Sequence, residues 1–214
     1  ARYTQGPVTA NLALNTATST GEGTDTLVNV GVWGSPQPDS LVGSDLQDDL
    51  LVGDAGNDTL RGGAGDEDLI PGTGSDLVDG GPGDDFARFF LEAGPVNANL
   101  GTGQATSGTD TDTLSGIENL GGTDFGDTLV GNDAANVIDA EAGNDLVQGF
   151  GGNDTIGGQL GNDTLDGGSG NDRLFGDDGD DSLTGGPGTD EMHGNLGNDT
   201  LRGDDDNGSL FGQA

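Results

Sequence analysis

The stretch GNLGNDTLR at residues 194–202 contains the pattern that decides the fold of this chain. The same nine-residue pattern runs without insertion from residue 140 to residue 211, as eight consecutive repeats. The fourth residue is Gly in seven of the eight repeats, the sixth is Asp in seven, and the eighth is apolar in all eight. A period this short and regular predicts a solenoid, in which each repeat forms one structural unit and stacks on its neighbours.

Each repeat combines a turn with a very short strand. Its first six residues are Gly and short polar residues, which favour turns, and its last three place one apolar side chain between two others. Two repeats together therefore complete a flattened 18-residue coil, with one strand on each face. The apolar side chains of the two faces meet inside the coil, so the chain is predicted to be all-β.

The chain divides into four segments that differ in how closely they follow the nine-residue pattern. Residues 53–88 hold four clean repeats and residues 140–211 hold the other eight, whereas residues 1–52 and 89–139 carry only degenerate repeats. The two degenerate segments match each other, because GPVTANLALNTAT from Gly6 aligns with GPVNANLGTGQAT from Gly94. This match predicts a duplicated unit of about 87 residues in a fragment of a longer array.

The degenerate segments also contain strand signals. Val8, Ala10, Leu12 and Leu14 alternate with other residues. This alternation predicts one half-buried strand over the whole stretch.

The charge of the chain limits the kinds of molecule that it can bind. It has 39 acidic residues against five basic ones, all Arg, and a formal net charge of −34 at pH 7. Such a charge argues against binding to nucleic acid or to an anionic membrane surface, and it favours cations. No run of 18 apolar residues is present, so no membrane span is predicted, and no signal peptide is recognisable.

The repeats need a divalent cation to fold. One buried apolar residue in nine stabilises a coil too little to offset the conformational entropy of a Gly-rich backbone. Stacked coils also place Asp over Asp, so the carboxylates repel. Carboxylates and backbone carbonyls that converge from successive turns supply the oxygen ligands that Ca²⁺ prefers, whereas Mg²⁺ fits such a cage less well. The chain has no Cys and a single His, which excludes a Zn²⁺ array.

The candidate ligands occupy two positions of the repeat. The sixth position supplies carboxylates, from Asp58, Glu67, Asp76, Asp85, Asp145, Asp154, Asp163, Asp172, Asp181, Asp190 and Asp199. The fourth position lets backbone carbonyls approach the ion without a side chain in between, at Gly56, Gly65, Gly74, Gly83, Gly143, Gly152, Gly161, Gly170, Gly179, Gly188 and Gly197. Glu67 departs from the Asp pattern, and its longer side chain is expected to distort its site.

The pattern GGxGxDxUx is the calcium-binding repeat of RTX proteins, and the clean blocks resemble that family. The resemblance implies a right-handed parallel β-roll with ions between turns, so that a repeat pairs with the second repeat after it. Asp145 would then pair with Asp163, Asp58 with Asp76, and Glu67 with Asp85. Counting such pairs gives about seven Ca²⁺ ions, whose charges neutralise less than half of the −34.

The remaining residues do not suggest catalysis. A zinc-protease HExxH motif is impossible with one His, and the stretch from Gly167 to Asn171 fails the GxSxG pattern at its last position. His193 lies in the variable ninth position and is predicted to be an exposed residue without a catalytic role. We therefore expect that this segment is not an enzyme. A flexible, acidic, Gly-rich linker is the alternative to an ordered array, but a linker has no reason to keep an apolar residue at every ninth position.

The predicted function is that of a calcium-binding structural segment of an extracellular bacterial protein, of the surface-layer, adhesin or filament type. The alternative is a C-terminal module of a secreted protease, lipase or pore-forming toxin, where the repeats support secretion and folding. Partners beyond Ca²⁺ would be copies of the same chain, or a glycan or protein at a cell surface.

Overall fold

The computed structural model describes residues 6–14, 16–19, 23–26, 31–45, 47–203 and 208–213. All regular secondary structure in these ranges is β-strand, which confirms the all-β prediction. No helix long and apolar enough to cross a membrane occurs in these ranges.

The strands are mostly three residues long, as expected from the three residues that follow each turn. The first thirteen strands are β1 Val8–Asn11, β2 Thr16–Ser19, β3 Gly23–Thr26, β4 Val32–Trp33, β5 Ser40–Val42, β6 Leu50–Val52, β7 Thr59–Arg61, β8 Asp68–Ile70, β9 Leu77–Asp79, β10 Phe86–Arg88, β11 Val96–Asn99, β12 Gln104–Ser107 and β13 Asp110–Ser115. The later strands are β14 Asn119–Gly121, β15 Thr128–Val130, β16 Val137–Asp139, β17 Leu146–Gln148, β18 Thr155–Gly157, β19 Thr164–Asp166, β20 Arg173–Asp178, β21 Ser182–Thr184, β22 Glu191–Leu196, β23 Thr200–Arg202 and β24 Ser209–Gln213.

The chain forms two compact units. The first unit comprises Ala1–Ala93 and Gly103–Ile117, and the second comprises Gly94–Thr102 and Glu118–Ala214. Within each unit the strands of the clean repeats form two sets that pair in parallel, and successive repeats alternate between the two sets.

The second unit shows the 18-residue coil directly. Strands β15, β17, β19, β21 and β23 pair in parallel in one sheet, and the strands β14, β16, β18, β20, β22 and β24 pair in parallel in the other. Val147 lies beside Leu165, and Ile156 lies beside Leu174, in each case two repeats further along. The parallel β-solenoid with 18-residue coils is therefore confirmed.

The first unit repeats this arrangement with one added residue. Strands β5, β7 and β9 are parallel in one sheet, and β4, β6, β8 and β10 are parallel in the other. Leu60 lies beside Val78 at the usual step of 18, but Leu41 lies beside Leu60 at a step of 19. The added residue lies between β5 and β6, so it changes the step without changing which side chains of these strands face the core.

The core of each coil consists of the eighth-position side chains. Most of them are at most 1 % exposed, namely Leu60, Leu69, Val78, Ala87, Val147, Ile156, Leu165, Leu174, Leu183 and Met192. Leu210 in the last coil is 51 % exposed. The core is therefore a narrow column, with one residue from each face per coil, as the sequence predicts.

The two degenerate segments make equivalent contacts. β1 pairs in parallel with β5 through Ala10 and Leu41, and β11 pairs in parallel with β15 through Ala98 and Leu129, at the same separation along the chain. Antiparallel pairing follows in each segment, between β2 and β3 and between β12 and β13. Each degenerate segment thus interrupts the parallel coils with antiparallel strands, which are called an excursion below.

The prediction of one strand from Val8 to Leu14 was wrong at its end. β1 stops at Asn11, whose side-chain oxygen accepts a hydrogen bond from the Leu14 backbone N–H at 2.9 Å. The chain turns there, and Leu14 is 70 % exposed.

Each clean repeat that the structure describes turns at its second position with a positive φ. This is true both of Gly, as at Gly168, and of larger residues such as Phe150 (φ 76°) and Gln159 (φ 69°). Residues with a Cβ are strained in this region by about 1–2 kcal/mol. The repeat therefore stores backbone strain wherever its second residue is not Gly.

This strain predicts the effect of substitution at Gln159. Gln159→Gly should raise the free energy of unfolding by about 1 kcal/mol relative to Gln159→Ala, because only Gly relieves the positive φ. Chemical denaturation of both variants, with divalent cations at saturation, measures this difference. Equal stability of the two variants would contradict a strained second position.

Candidate metal centre

The predicted carboxylates lie inside the loops rather than on the surface. Ten of the eleven are no more than 2 % exposed, although Asp and Glu are normally surface residues. Asp199, in the last complete coil, is half-buried. The turns therefore enclose two columns of acids in each unit, one beside each parallel sheet.

Each column is ordered by hydrogen bonds between coils. The backbone N–H of Asp145 donates to Oδ1 of Asp163 at 2.8 Å, and the N–H of Asp163 donates to Oδ1 of Asp181 at 2.8 Å. The same bond joins all seven pairs that lie one coil apart, which are 58/76, 67/85, 145/163, 154/172, 163/181, 172/190 and 181/199. The structure thus brings together every pair that the sequence analysis named.

The second oxygen of most of these carboxylates has no hydrogen-bond partner. This orphan Oδ2 is buried in Asp58, Asp76, Asp145, Asp154, Asp163, Asp172 and Asp181, and it also occurs in Asp199. A buried, unpaired carboxylate oxygen is costly and is normally satisfied by a cation or a donor. The loops therefore contain a repeated acceptor that the protein itself does not satisfy.

The first-position Gly makes room for this oxygen. A Cβ built on Gly158 would collide with Oδ2 of Asp163, and a Cβ on Gly176 would collide with Oδ2 of Asp181. The sequence analysis assigned no role to this position. In these repeats the position is Gly because the carboxylate of the same repeat folds back against the backbone. Pro71 and Ala140 take this position in two other repeats.

The fourth-position Gly residues stack by their backbones. A Cβ on Gly161 would collide with the Gly143 carbonyl oxygen, and a Cβ on Gly179 would collide with the Gly161 carbonyl oxygen. The same contact involves Gly74 over Gly56, Gly83 over Gly65, Gly170 over Gly152, Gly188 over Gly170 and Gly197 over Gly179. Backbone carbonyls therefore line the loops next to the acids.

Burial makes the acids hard to ionise. Desolvation raises the pKa of Asp58 to about 8, against the hydrogen bond from the Asp39 N–H, and the charges of neighbouring Asp side chains raise it further. The same main cause raises the pKa of Asp145 to about 7 and that of Asp181 to about 6. Burial, a shared hydrogen bond and the charge of Asp85 raise the pKa of Glu67 to about 8.

A hard divalent cation fits these loops. In the described part of the chain no three Asp, Glu or His side chains come together as a metal-binding group. Each pair of stacked coils instead supplies two carboxylates, so backbone carbonyls and water must provide the other ligands. Ca²⁺ accepts six to eight oxygens of this mixed kind in a flexible geometry, and its charge would satisfy the orphan oxygens.

A second ladder runs through the fifth position. The Asn162 N–H donates to Oδ1 of Asn144 at 2.8 Å, and the Asp180 N–H donates to Oδ1 of Asn162 at 2.7 Å. In each of these pairs the later residue donates the hydrogen bond, whereas in the columns of acids the earlier residue donates it. The recurrent Asn before Asp therefore joins successive coils, and the sequence analysis missed this role.

The acid columns also continue into the degenerate segments, which the sequence analysis left out of the site. The N–H of Asp39 donates to Oδ1 of Asp58, the N–H of Asp127 to Oδ1 of Asp145, and the N–H of Asn136 to Oδ1 of Asp154. Asp49 and Asp112 are buried as well. The signal that could have found most of them is an Asp or Asn two residues before a buried Leu or Ile.

His193 is half-buried rather than exposed as predicted. Its ring stacks between Phe175 and Phe211, with centroid distances of 5.2 and 4.7 Å. Its Nε2 atom lies 3.0 Å from the Glu191 carboxylate. These three rings occupy the ninth position of alternate repeats and stack on one another along one sheet.

The chain matches the family described as RTX calcium-binding nonapeptide repeat (4 copies). Overlapping matches cover residues 44–87 and 121–213, which is more than half of the chain. A comparison with curated proteins finds none that matches.

The raised pKa values predict how the metal-free chain responds to pH. Asp58 and Asp145 ionise near 3.8 when unfolded but at about 8 and about 7 when folded, so the folded state binds protons more tightly. Stability of the metal-free fold should therefore be lost as the pH rises from about 4 to about 8. Circular dichroism should show more β-structure at pH 5.5 than at pH 8.

Asp58→Asn provides the matched variant, because the amide keeps the Oδ1 acceptor and cannot ionise. Its metal-free fold should persist to higher pH than that of the wild type. A metal-free wild-type spectrum that does not change between pH 5.5 and pH 8 would contradict the prediction that ionisation of the buried acids destabilises the metal-free fold.

Proposed function

Because the chain belongs to the RTX calcium-binding nonapeptide repeat family, we propose that it binds Ca²⁺ between successive coils and folds as it does so. The observation that carries the proposal is the set of seven carboxylate pairs, in which a buried second oxygen recurs without a hydrogen-bond partner. The sixth-position acids and the fourth-position carbonyls are the ligands, and about seven ions would fill the pairs.

The thin core explains why folding and metal binding are coupled. Each coil buries one side chain per face, and it also buries acids that repel one another when ionised. The binding loops bring acids together from different coils, so they exist only in the folded chain. The free energy of Ca²⁺ binding is then free energy of folding.

The proposed role is structural and extracellular. At the low Ca²⁺ of a bacterial cytosol the charge of −34 would keep the chain extended and soluble. Outside the cell, millimolar Ca²⁺ is enough to fill sites of the weak affinity typical of extracellular modules. The chain would then become a stiff segment with no catalytic task of its own.

The equivalent excursions support a surface-layer, adhesin or filament protein over a toxin or secreted enzyme. β1 and β11 lie in the same register on β5 and β15, and a chain built from long duplicated units suits a molecule whose body is the array. Self-association, or binding to a surface glycan or protein, belongs to the same proposal.

A Ca²⁺ titration followed by circular dichroism tests the proposal. β-structure should appear cooperatively as Ca²⁺ approaches millimolar concentration at pH 8, because each filled site orders the coils on both of its sides. Mg²⁺ is the matched control and should be much less effective. Equal folding with Mg²⁺, or full folding without metal at this pH, would refute the proposal.

Asp163→Ala tests the pairing of coils. Asp163 is paired with both Asp145 and Asp181, so its loss should remove two ions from the stoichiometry measured by native mass spectrometry. Asp166→Ala removes the same charge from the ninth position of the same repeat and should remove none. An unchanged ion count in the Asp163 variant would rule out shared ligands.

A further inference from the structure

The acid column of the first unit continues across the point where the clean repeats stop. Asp76 should pair with the residue one full coil later, but that residue is Gly94. The Asp76 N–H donates instead to Oδ1 of Asp112, two coil lengths along the chain, at 2.9 Å. β13 lies parallel to β9, with Leu114 beside Val78, so the turn before β13 occupies the place of the next coil.

This turn is not an ordinary repeat. Asp112 and Leu114 take the sixth and eighth positions and are 3 % and 6 % exposed, but Asp110 takes the place of the fourth-position Gly. Asp110 has no positive φ, unlike nearly all the Gly residues at that position. The stacked Gly carbonyls of a clean loop are therefore not reproduced here, and a carboxylate stands in their place.

A third acid, outside the repeats, is buried in the same unit. Glu92 is 8 % exposed, and its Oε1 atom has no hydrogen-bond partner. It follows the fully buried Phe89, whose carbonyl accepts the Glu92 N–H at 2.8 Å. The Ser107 hydroxyl bonds to the Glu92 carboxylate, which joins this turn to the end of β12.

Burial is the main cause that raises the pKa of Asp76 and that of Asp112 to about 7, and the charge of the Glu92 carboxylate contributes to both. Asp110 raises the pKa of both as well. Oδ2 of Asp76 and Oε1 of Glu92 are both buried without a hydrogen-bond partner.

We propose that Asp76 and Asp112 bind one further Ca²⁺ ion, with Glu92 as an outer carboxylate that accepts hydrogen bonds from the water ligands of the ion. Two direct carboxylates agree with the absence of a three-carboxylate metal group among the described residues. Asp112 and Glu92 lie between residues 87 and 121, outside the family match, and the inference rests on the proposed Ca²⁺ binding of the repeats. The ion would fasten β13 and its antiparallel partner β12 to the solenoid of the first unit.

The test counts ions in the full chain and follows its protection from hydrogen exchange. Asp112→Asn keeps the acceptor for the Asp76 N–H but loses a charge, so it should bind one Ca²⁺ fewer than the wild type by native mass spectrometry. Glu92→Gln should keep the ion but weaken that site by about tenfold, as expected for an outer partner of a ligand. In both variants, Ca²⁺-dependent protection of 104–115 should decrease, with the later repeats unchanged.

Asp84→Asn is the matched control, since it removes one exposed charge from the same unit, at a position where Asn is common. It should leave both readouts unchanged. If the wild type binds no Ca²⁺ at all, the proposed function and this site both fail. If the repeats bind Ca²⁺ but the Asp112 and Glu92 variants behave like the control, only the additional site is refuted.

Discussion

The burial of stacked carboxylates is the interaction on which the rest of this structure depends. Each column places acids from successive coils in line, with one oxygen fixed by the N–H of the coil before. Two ionised carboxylates held this way repel, and their burial strengthens the repulsion because water no longer screens it. Protons or cations must therefore accompany folding, and at neutral pH in a calcium-rich medium the cation prevails.

The thin core and the Gly-rich turns follow from the same constraint. In most repeats the loop that encloses a carboxylate has no room for a side chain at its first position, and the fourth-position backbones approach closely between coils. Because six residues of each repeat form the turn, only three remain for a strand, and one of these three faces the core. The apolar column keeps the two sheets in register, but each coil adds too little apolar contact to hold the fold without the loops. The fifth-position Asn ladder adds a polar contact between coils that runs in the opposite direction to the acid ladder.

Sequence periodicity was enough to predict the coil and its two facing sheets, because both depend on spacing alone, and the resemblance to the family implied the seven acid pairs. Leu165 lies over Val147 since both are eighth residues of repeats that are two apart. Spacing could not show the antiparallel excursions, where Asn11 caps a turn and Leu14 stays exposed. It also could not show that Asp112 takes the place of a coil partner, since that pairing is set by the strands around it rather than by the period. His193 was misjudged for a related reason, because its stacking depends on which rings occupy the ninth position in the coils on either side.

The most direct test of the account is a crystal structure of the chain grown with Ca²⁺, with the ions identified by their anomalous scattering. The account predicts density between acids one coil apart, such as Asp145 and Asp163, with carboxylate and backbone carbonyl oxygens at about 2.3–2.6 Å. It would be contradicted by loops that hold no ion while these carboxylates remain buried, or by carboxylates that turn outward into solvent.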